Sequence, residues 1–305
     1  MVIRKELIFV KGDVEYMKLC INITIYWLGP LFVHRDGILH FYQRSLELIG
    51  SNLRHYRTGE MKSAERLDRG ALELIPKWLQ SPGQANDIYM LTLESHMLPD
   101  IPSDTAFGLW AVPFKKYLVG AIRVVLPANF RMVGDEDLQD VALDLVSKMN
   151  FHSGYCGYGI NWDPGGRYRT ISRRVLGKLA RRFPGLDLTD IFSSLMAVPF
   201  GIVRINWLTF LGSTILEMLG GIDNLRGRLA GGDTELVETS GGLMIKGGSE
   251  PGIGDVNRFE MLESYHVVGR ALSTVRSDRH PPFLGSARRQ IDAEISETWL
   301  RYFDN

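Results

Sequence analysis

The first half of the chain contains runs in which β-branched and aromatic residues alternate with polar ones, a pattern typical of strands. The first run is Tyr16–Trp27, and three more follow over Asp87–Ser95, Phe107–Val112 and Tyr117–Leu126. The last two are joined by Pro113-Phe-Lys-Lys, which predicts a hairpin. We therefore expect a β-sheet in this half.

Apolar residues at helical spacing predict helices between and after these strands. One helix runs from Ile38 to Ile49, and a second runs from about Ser63 to Gln80, where Pro76 predicts a kink or an early end. A third begins at Gly134-Asp-Glu-Asp, whose acids favour the positive end of the helix dipole, and ends near Asn150.

The second half repeats this alternation loosely. It predicts strands and helices in turn, namely strands over Tyr155–Trp162, Gly201–Trp207, Thr234–Thr239 and Leu243–Lys246, and helices over Ser172–Arg182, Leu208–Leu219, Met261–Val275 and Ala287–Phe303. The fold class is therefore α+β, with mixed or antiparallel sheets flanked by helices. We expect one compact domain over residues 12–305, with two loosely similar lobes at 12–130 and 131–305.

The composition is that of an ordinary globular protein, and the charge is balanced. Of 305 residues, 45% are hydrophobic and 23% charged, with 35 basic and 35 acidic side chains. Nucleic-acid binders usually carry a basic excess, so we expect no direct nucleic-acid partner. The N-terminus lacks the apolar run of a signal peptide, and the most apolar stretch, Leu195–Phe210, is interrupted by Pro199, Arg204 and Asn206. We therefore expect a cytoplasmic protein with no membrane partner.

No catalytic or metal-binding motif is present in the sequence. The seven histidines form no metal-ligand pattern, and Cys20 and Cys156 lie in apolar segments typical of buried reduced thiols. There is no nucleophile elbow and no phosphate-binding loop with the required glycines. We therefore expect no catalytic residue, no metal and no cofactor.

Five cations lie close together in the predicted helix over 172–182: Arg173, Arg174, Lys178, Arg181 and Arg182. They could contact nucleic acid, but no aromatic residues are interleaved with them. A solvated helix face is the favoured interpretation.

Six segments of the second half resemble, in order and spacing, the TsiV family of bacterial type VI immunity proteins, which act against VRR-type nucleases. The segments are Gly154-Tyr-Cys-Gly-Tyr-Gly-Ile-Asn-Trp162, Arg182-Phe-Pro-Gly-Leu-Asp187, Ile205-Asn-Trp-Leu-Thr-Phe-Leu-Gly212, Leu219-Gly-Gly221, Gly241-Gly-Leu-Met-Ile-Lys-Gly247 and Gly254-Asp-Val-Asn-Arg258. One departure is Lys246-Gly-Gly, where the family typically has Gln-Ala-Gly.

The residues in these segments have structural roles by their physical character. Trp162 and Trp207 are predicted to fill the core, and Gly212 to allow a helix to approach the sheet closely. Asp187 and Asp255 are predicted to cap turns. Such residues specify the fold, whereas the surface that recognises a toxin should differ from one immunity protein to the next.

The resemblance implies an immunity protein that binds a cognate, co-encoded nuclease effector and occludes its active site or DNA-binding surface. Carboxylates suit a basic nuclease surface, so the predicted toxin-binding residues are Asp233, Glu235, Glu238, Glu250 and Asp255. The hairpin segment Asp233-Thr-Glu235-Leu-Val-Glu238, which can hold its carboxylates rigidly, ranks first among them.

Two alternatives remain open. An enzyme that reverses toxin damage would need a cleft in which His152, His266 or Glu263 converge. A nucleic-acid-binding regulator would use the basic helix and would bind in a salt-dependent manner.

Overall fold

The strands of the described residues form one antiparallel sheet. The computed structural model describes residues 7–83, 87–96, 101–130, 136–164, 166–284 and 289–305, without the side chains of 289–291. The eleven strands in these ranges are β1 (Phe9–Lys11), β2 (Val14–Leu28), β3 (His55–Thr58), β4 (Glu65–Arg66), β5 (Tyr89–Glu94), β6 (Ala106–Phe114), β7 (Tyr117–Pro127), β8 (Ser153–Asn161), β9 (Leu208–Gly212), β10 (Thr234–Thr239) and β11 (Gly242–Gly247). Their order is β10-β11-β9-β8-β2-β7-β6-β5-β3-β4, and β1 pairs with β2.

The central strand β2 joins the two predicted lobes. It pairs with β7 of the first lobe on one side and with β8 of the second on the other. Residues 20–27 of β2 are all buried, because both neighbours and both faces are covered there. The predicted lobes at 12–130 and 131–305 therefore share a single sheet, in which every strand pair is antiparallel.

Ten α-helices lie in the described ranges. They are α1 (Arg35–Ile49), α2 (Arg69–Leu72), α3 (Leu74–Trp78), α4 (Leu138–Val146), α5 (Arg169–Arg182), α6 (Ile191–Ala197), α7 (Ser213–Met218), α8 (Ile222–Leu229), α9 (Glu263–Leu272) and α10 (Arg289–Leu300). The predicted helix over 63–80 forms only in part, because residues 65–66 are strand β4 and the helical part is split at Glu73 into α2 and α3. The split precedes Pro76, which lies within α3, and α3 ends two residues after it.

Helices cover opposite faces of the sheet in its two halves. In the first half, Tyr42 of α1 packs on Phe107 of β6, with 5.1 Å between ring centroids. In the second half, a separate apolar core joins Leu211 and Leu243 to helices α7, α8 and α9. The strand register places these leucines and Phe107 on opposite faces. One face of the first half is therefore left without these helices.

Two predictions around residue 208 are wrong: the strand Gly201–Trp207 and the helix Leu208–Leu219. Residues 203–206 are not in a strand, and Ile202 makes only an isolated bridge to Arg276. The predicted helix Leu208–Leu219 is instead strand β9 followed by α7, because Leu208–Gly212 pairs with both β8 and β11. Gly212 does permit a close approach, but to the Phe151 backbone: an added Cβ would lie 2.0 Å from its carbonyl oxygen.

The buried tryptophans and cysteines match their predicted roles. Trp207 and Trp162 lie in the main core. Both thiols are buried and unpaired, and burial raises the pKa of each well above its usual value. Cys156 pairs with Ile23 of β2, three residues from Cys20, so the two thiols lie on opposite faces of the sheet.

Candidate functional site

The predicted acidic hairpin forms one edge of the sheet. Strand β10 is outermost, and Asp233, Glu235 and Glu238 are all exposed. Side chains alternate along a strand, so Glu235 and Glu238, three residues apart, point to opposite faces. The carboxylate of Glu235 lies 3.5 Å from Lys246 Nζ on the neighbouring strand. The structure therefore places these carboxylates along one edge but not on one face.

Glu250 lies in the loop that continues from this hairpin. The Gly248 amide donates a hydrogen bond to the carbonyl oxygen of Asp233 at 2.8 Å. Glu250 follows two residues later and is exposed. The loop therefore starts beside Asp233 and exposes Glu250, whose role in toxin binding stays a prediction.

Asp255 is buried, which corrects the prediction that it contacts a toxin. It has 0% exposure and accepts two hydrogen bonds from the Arg182 guanidinium, each 3.0 Å long. Its Oδ1 also accepts from the Asn257 amide at 3.1 Å and so caps the short 3₁₀ turn Val256–Arg258. The predicted capping role of Asp255 is confirmed, whereas its position excludes direct contact with a partner.

A cavity of about 390 Å³ opens on the sheet face that lacks the first-half helices. Thr92, Gly108 and Arg123 line it from three adjacent strands, and Phe192 of α6 lines it from the side. Arg123 donates to Thr24, Tyr155 and Thr189 at 2.8, 3.2 and 3.1 Å respectively. Three hydroxyl acceptors thus hold this cation in place at the cavity wall.

Asp187 completes the buried polar cluster behind the cavity. Its carboxylate accepts from Asn22 Nδ2 at 2.7 Å and from Thr189 Oγ1 at 2.6 Å. The Thr189 amide also donates to it at 3.0 Å, as expected of a turn cap. The sequence pattern does not reveal this cluster, because Asn22 and Asp187 are 165 positions apart.

The histidines of the enzyme alternative lie in separate surroundings. His152 precedes β8, where burial lowers its pKa to about 4 despite a backbone hydrogen bond with Val198. His266 of α9 packs its ring on Phe303, with 5.1 Å between centroids. Neither residue nor Glu263 lines the cavity, and no group of three or more His, Cys, Asp or Glu residues with metal-binding geometry occurs in the described ranges.

The five cations of helix α5 do not form one surface. Arg182 is engaged by Asp255, and Arg173 lines the cavity. Arg174, Lys178 and Arg181 are exposed and lie on one helix face by their spacing. Only three of the five cations are therefore exposed, and the basic surface is smaller than the sequence alone suggests.

Comparison with known structures identifies the architecture. The structure described as Pseudomonas aeruginosa T6SS protein PA0821 matches with a TM-score of 0.78 and 17% sequence identity. The match covers 98% of this chain and 88% of that one, so both share the α+β fold throughout. No curated protein matches the sequence.

The sequence also matches a family model over residues 40–303, described as TsiV, type VI immunity for VRR-NUC. This range covers most of the chain, and the chain belongs to the TsiV family. It is thus a type VI immunity protein directed against VRR-NUC effectors, as the resemblance of its six segments implies. None of the described helices is both long enough and apolar enough to span a membrane.

Proposed function

We propose that this chain binds a co-encoded VRR-NUC nuclease effector and stops DNA cleavage by steric blockade, without catalysis of its own. Membership of the TsiV family over residues 40–303 is the observation that carries this proposal. A nuclease that reaches the DNA acts in the cytoplasm, so the complex forms there. Because one unbound nuclease is harmful, the complex has nanomolar or tighter affinity, which typically requires about 1,600 Å² of buried surface or more.

The acidic edge is suited to the surface that such a nuclease must expose. A DNA-binding surface is basic, since phosphate contacts dominate its affinity. Asp233, Glu235 and Glu238 are exposed on a hairpin whose two strands share six residue pairs and whose inner strand β11 forms five more with β9. Glu250 lies on the adjoining loop. Carboxylates fixed in this way accelerate association with a basic partner and compete with DNA for the same cations.

The test is to replace Asp233, Glu235 and Glu238 together with lysine. Loss of complementary charge should slow association with the purified effector by at least about tenfold at low salt. Cells that produce the effector should then lose protection. Association rates, dissociation constants and DNA cleavage in the presence of each variant measure these effects.

A matched control reverses three exposed acids elsewhere, Asp36, Glu47 and Glu60. This variant has the same net charge change and should bind and protect as the wild type does. If the hairpin variant also binds and protects normally, the acidic edge is not the interface. If the wild-type complex forms but the bound nuclease still cuts DNA, steric blockade is the wrong mechanism.

A further inference from the structure

Phe259 has an unusual combination of backbone conformation and exposure. The residue is 88% exposed, and its φ of 56° and ψ of 30° lie in the left-handed region. Only one other non-glycine residue in the described ranges, Lys115 in the β6–β7 turn, has a positive φ. Two further apolar side chains of the same loop, Val256 and Met261, are also exposed. The loop therefore presents an apolar tip to solvent.

The backbone of this loop is closely held. The carbonyl oxygen of Asp255 accepts from the amides of Arg258 and Glu260 at 2.9 and 3.1 Å, and the Asp255 amide donates to Glu260 O at 3.2 Å. The buried ion pair of Asp255 with Arg182 fixes the start of the loop. At its end, Leu262 packs against Gly185, where an added Cβ would lie 2.7 Å from the leucine side chain. The exposure of Phe259 is thus imposed by a fixed loop.

An exposed phenylalanine in the left-handed region does not benefit the isolated protein. The conformation is disfavoured for bulky residues and readily adopted by glycine, which is the usual residue at such helix ends. A ring in water also contributes no burial energy. Strained residues that the surrounding structure holds in place cluster at binding and active sites. Phe259 therefore has the character of a residue kept for a contact outside the chain.

Charged side chains flank this apolar tip: the exposed cation Arg258 precedes it, and two exposed carboxylates follow it in the sequence. Glu260 follows Phe259 directly, and Glu263 begins helix α9 four residues later. The next residue, Ser264, lies beside the acidic hairpin, because a Cβ added at Gly248 would be 3.4 Å from its Oγ and 3.9 Å from the Asp233 carboxylate. The start of helix α9, which follows the Phe259 loop in the chain, therefore lies beside the acidic hairpin.

We propose that Phe259 is the apolar anchor of the effector interface and inserts into an apolar pocket within the basic surface of the VRR-NUC nuclease. This inference rests on the proposed function and adds the residue that dominates the affinity. Interface energy is concentrated in a few large side chains that are fully desolvated on binding and are enclosed by polar contacts. An exposed ring flanked by charged side chains matches that arrangement, and its fixed conformation avoids an ordering cost on binding.

The test uses Phe259→Gly and Phe259→Asn, because both residues adopt the left-handed conformation readily. Each variant should keep or raise the thermal midpoint of the free protein. Each should bind the purified, catalytically inactive effector about 30-fold to 1,000-fold more weakly, as anchor truncations do. Val33→Ala is the control, since Val33 is 70% exposed in the 3₁₀ turn Leu31–His34 that follows β2 and should not alter binding.

The outcomes separate this inference from the proposed function. If the wild type binds and protects, and both Phe259 variants bind within threefold of it, the anchor is wrong while the function stands. If the wild type itself does not bind the effector, the proposed function fails and the anchor fails with it. A marked fall in the thermal midpoint of both variants would also overturn the inference, because Phe259 would then serve the fold.

Discussion

Replacing Asp255 with alanine should destabilise the protein by about 3 kcal/mol. The carboxylate is fully buried, and two hydrogen bonds of 3.0 Å join it to Arg182. Removing one partner of a buried ion pair typically costs about 3–5 kcal/mol, because the other charge is left without compensation. The Arg182 side chain is 26% exposed, so water can solvate its charge once Asp255 is removed. We therefore expect a loss of unfolding free energy at the lower end of that range.

The assay is urea unfolding followed by tryptophan fluorescence, with the free energy of unfolding compared between variants. The matched control is Asp223→Ala, which removes an ion pair of 2.7 Å with Arg226 at an aspartate whose side chain is 97% exposed. Exposed pairs contribute little, so this control should leave the unfolding midpoint unchanged. A cost below about 1 kcal/mol for Asp255→Ala would refute the structural role assigned here to the buried pair.

Two further predictions concern buried groups. Trp207→Ala should cost about 3–5 kcal/mol in the same assay, because the ring is 1% exposed and its Nε1 donates to the Gly248 carbonyl oxygen at 3.0 Å; a cost below about 1 kcal/mol would place the ring outside the core. Burial lowers the pKa of His152 to about 4, and also lowers the pKa values of His34 and His280. Unfolded histidines therefore bind protons that the folded ones do not, so stability present above pH 6.5 should fall as the pH decreases from 6.5 towards 4. His152→Gln should remove up to about 3 kcal/mol of that dependence, and an unchanged pH profile would contradict it.

Local patterns predict the strands that contact their sequence neighbours. The β6–β7 and β10–β11 hairpins fall within two residues of their predicted bounds, because alternation and turn residues are both local. Around residue 208 the deciding contacts are distant. Leu208–Gly212 becomes a strand through pairing with β8 and β11, and Ile202 bonds to the chain near Arg276 instead of entering the sheet. A window of a few residues contains neither contact.

In the candidate site, too, local composition predicts some features, whereas distant contacts decide others. Exposed carboxylates at Asp233 and Glu250 follow from polar loop composition, and the structure places them as expected. The burial of Asp255 depends on Arg182, 73 positions earlier in the chain. Phe259 carries no signal at all in the sequence, since a phenylalanine next to polar residues usually predicts a buried contact. Only the backbone conformation and the exposure together distinguish it.

The residues that carry the family resemblance and the residues proposed to contact the effector lie at different depths in the molecule. Asp187, Trp207 and Asp255 are buried and satisfy backbone or charged groups of the chain itself. Glu250 and Phe259 lie on the segment between β11 and α9, in which Asp255 holds residues 255–260, and both side chains are exposed. Substitution of the buried residues affects the unfolding free energy directly, whereas substitution of the exposed ones changes the contact surface at little cost to folding. A fold held in this way can keep its architecture while the loop proposed to contact the effector changes with the nuclease, which is the property that partner-specific immunity requires.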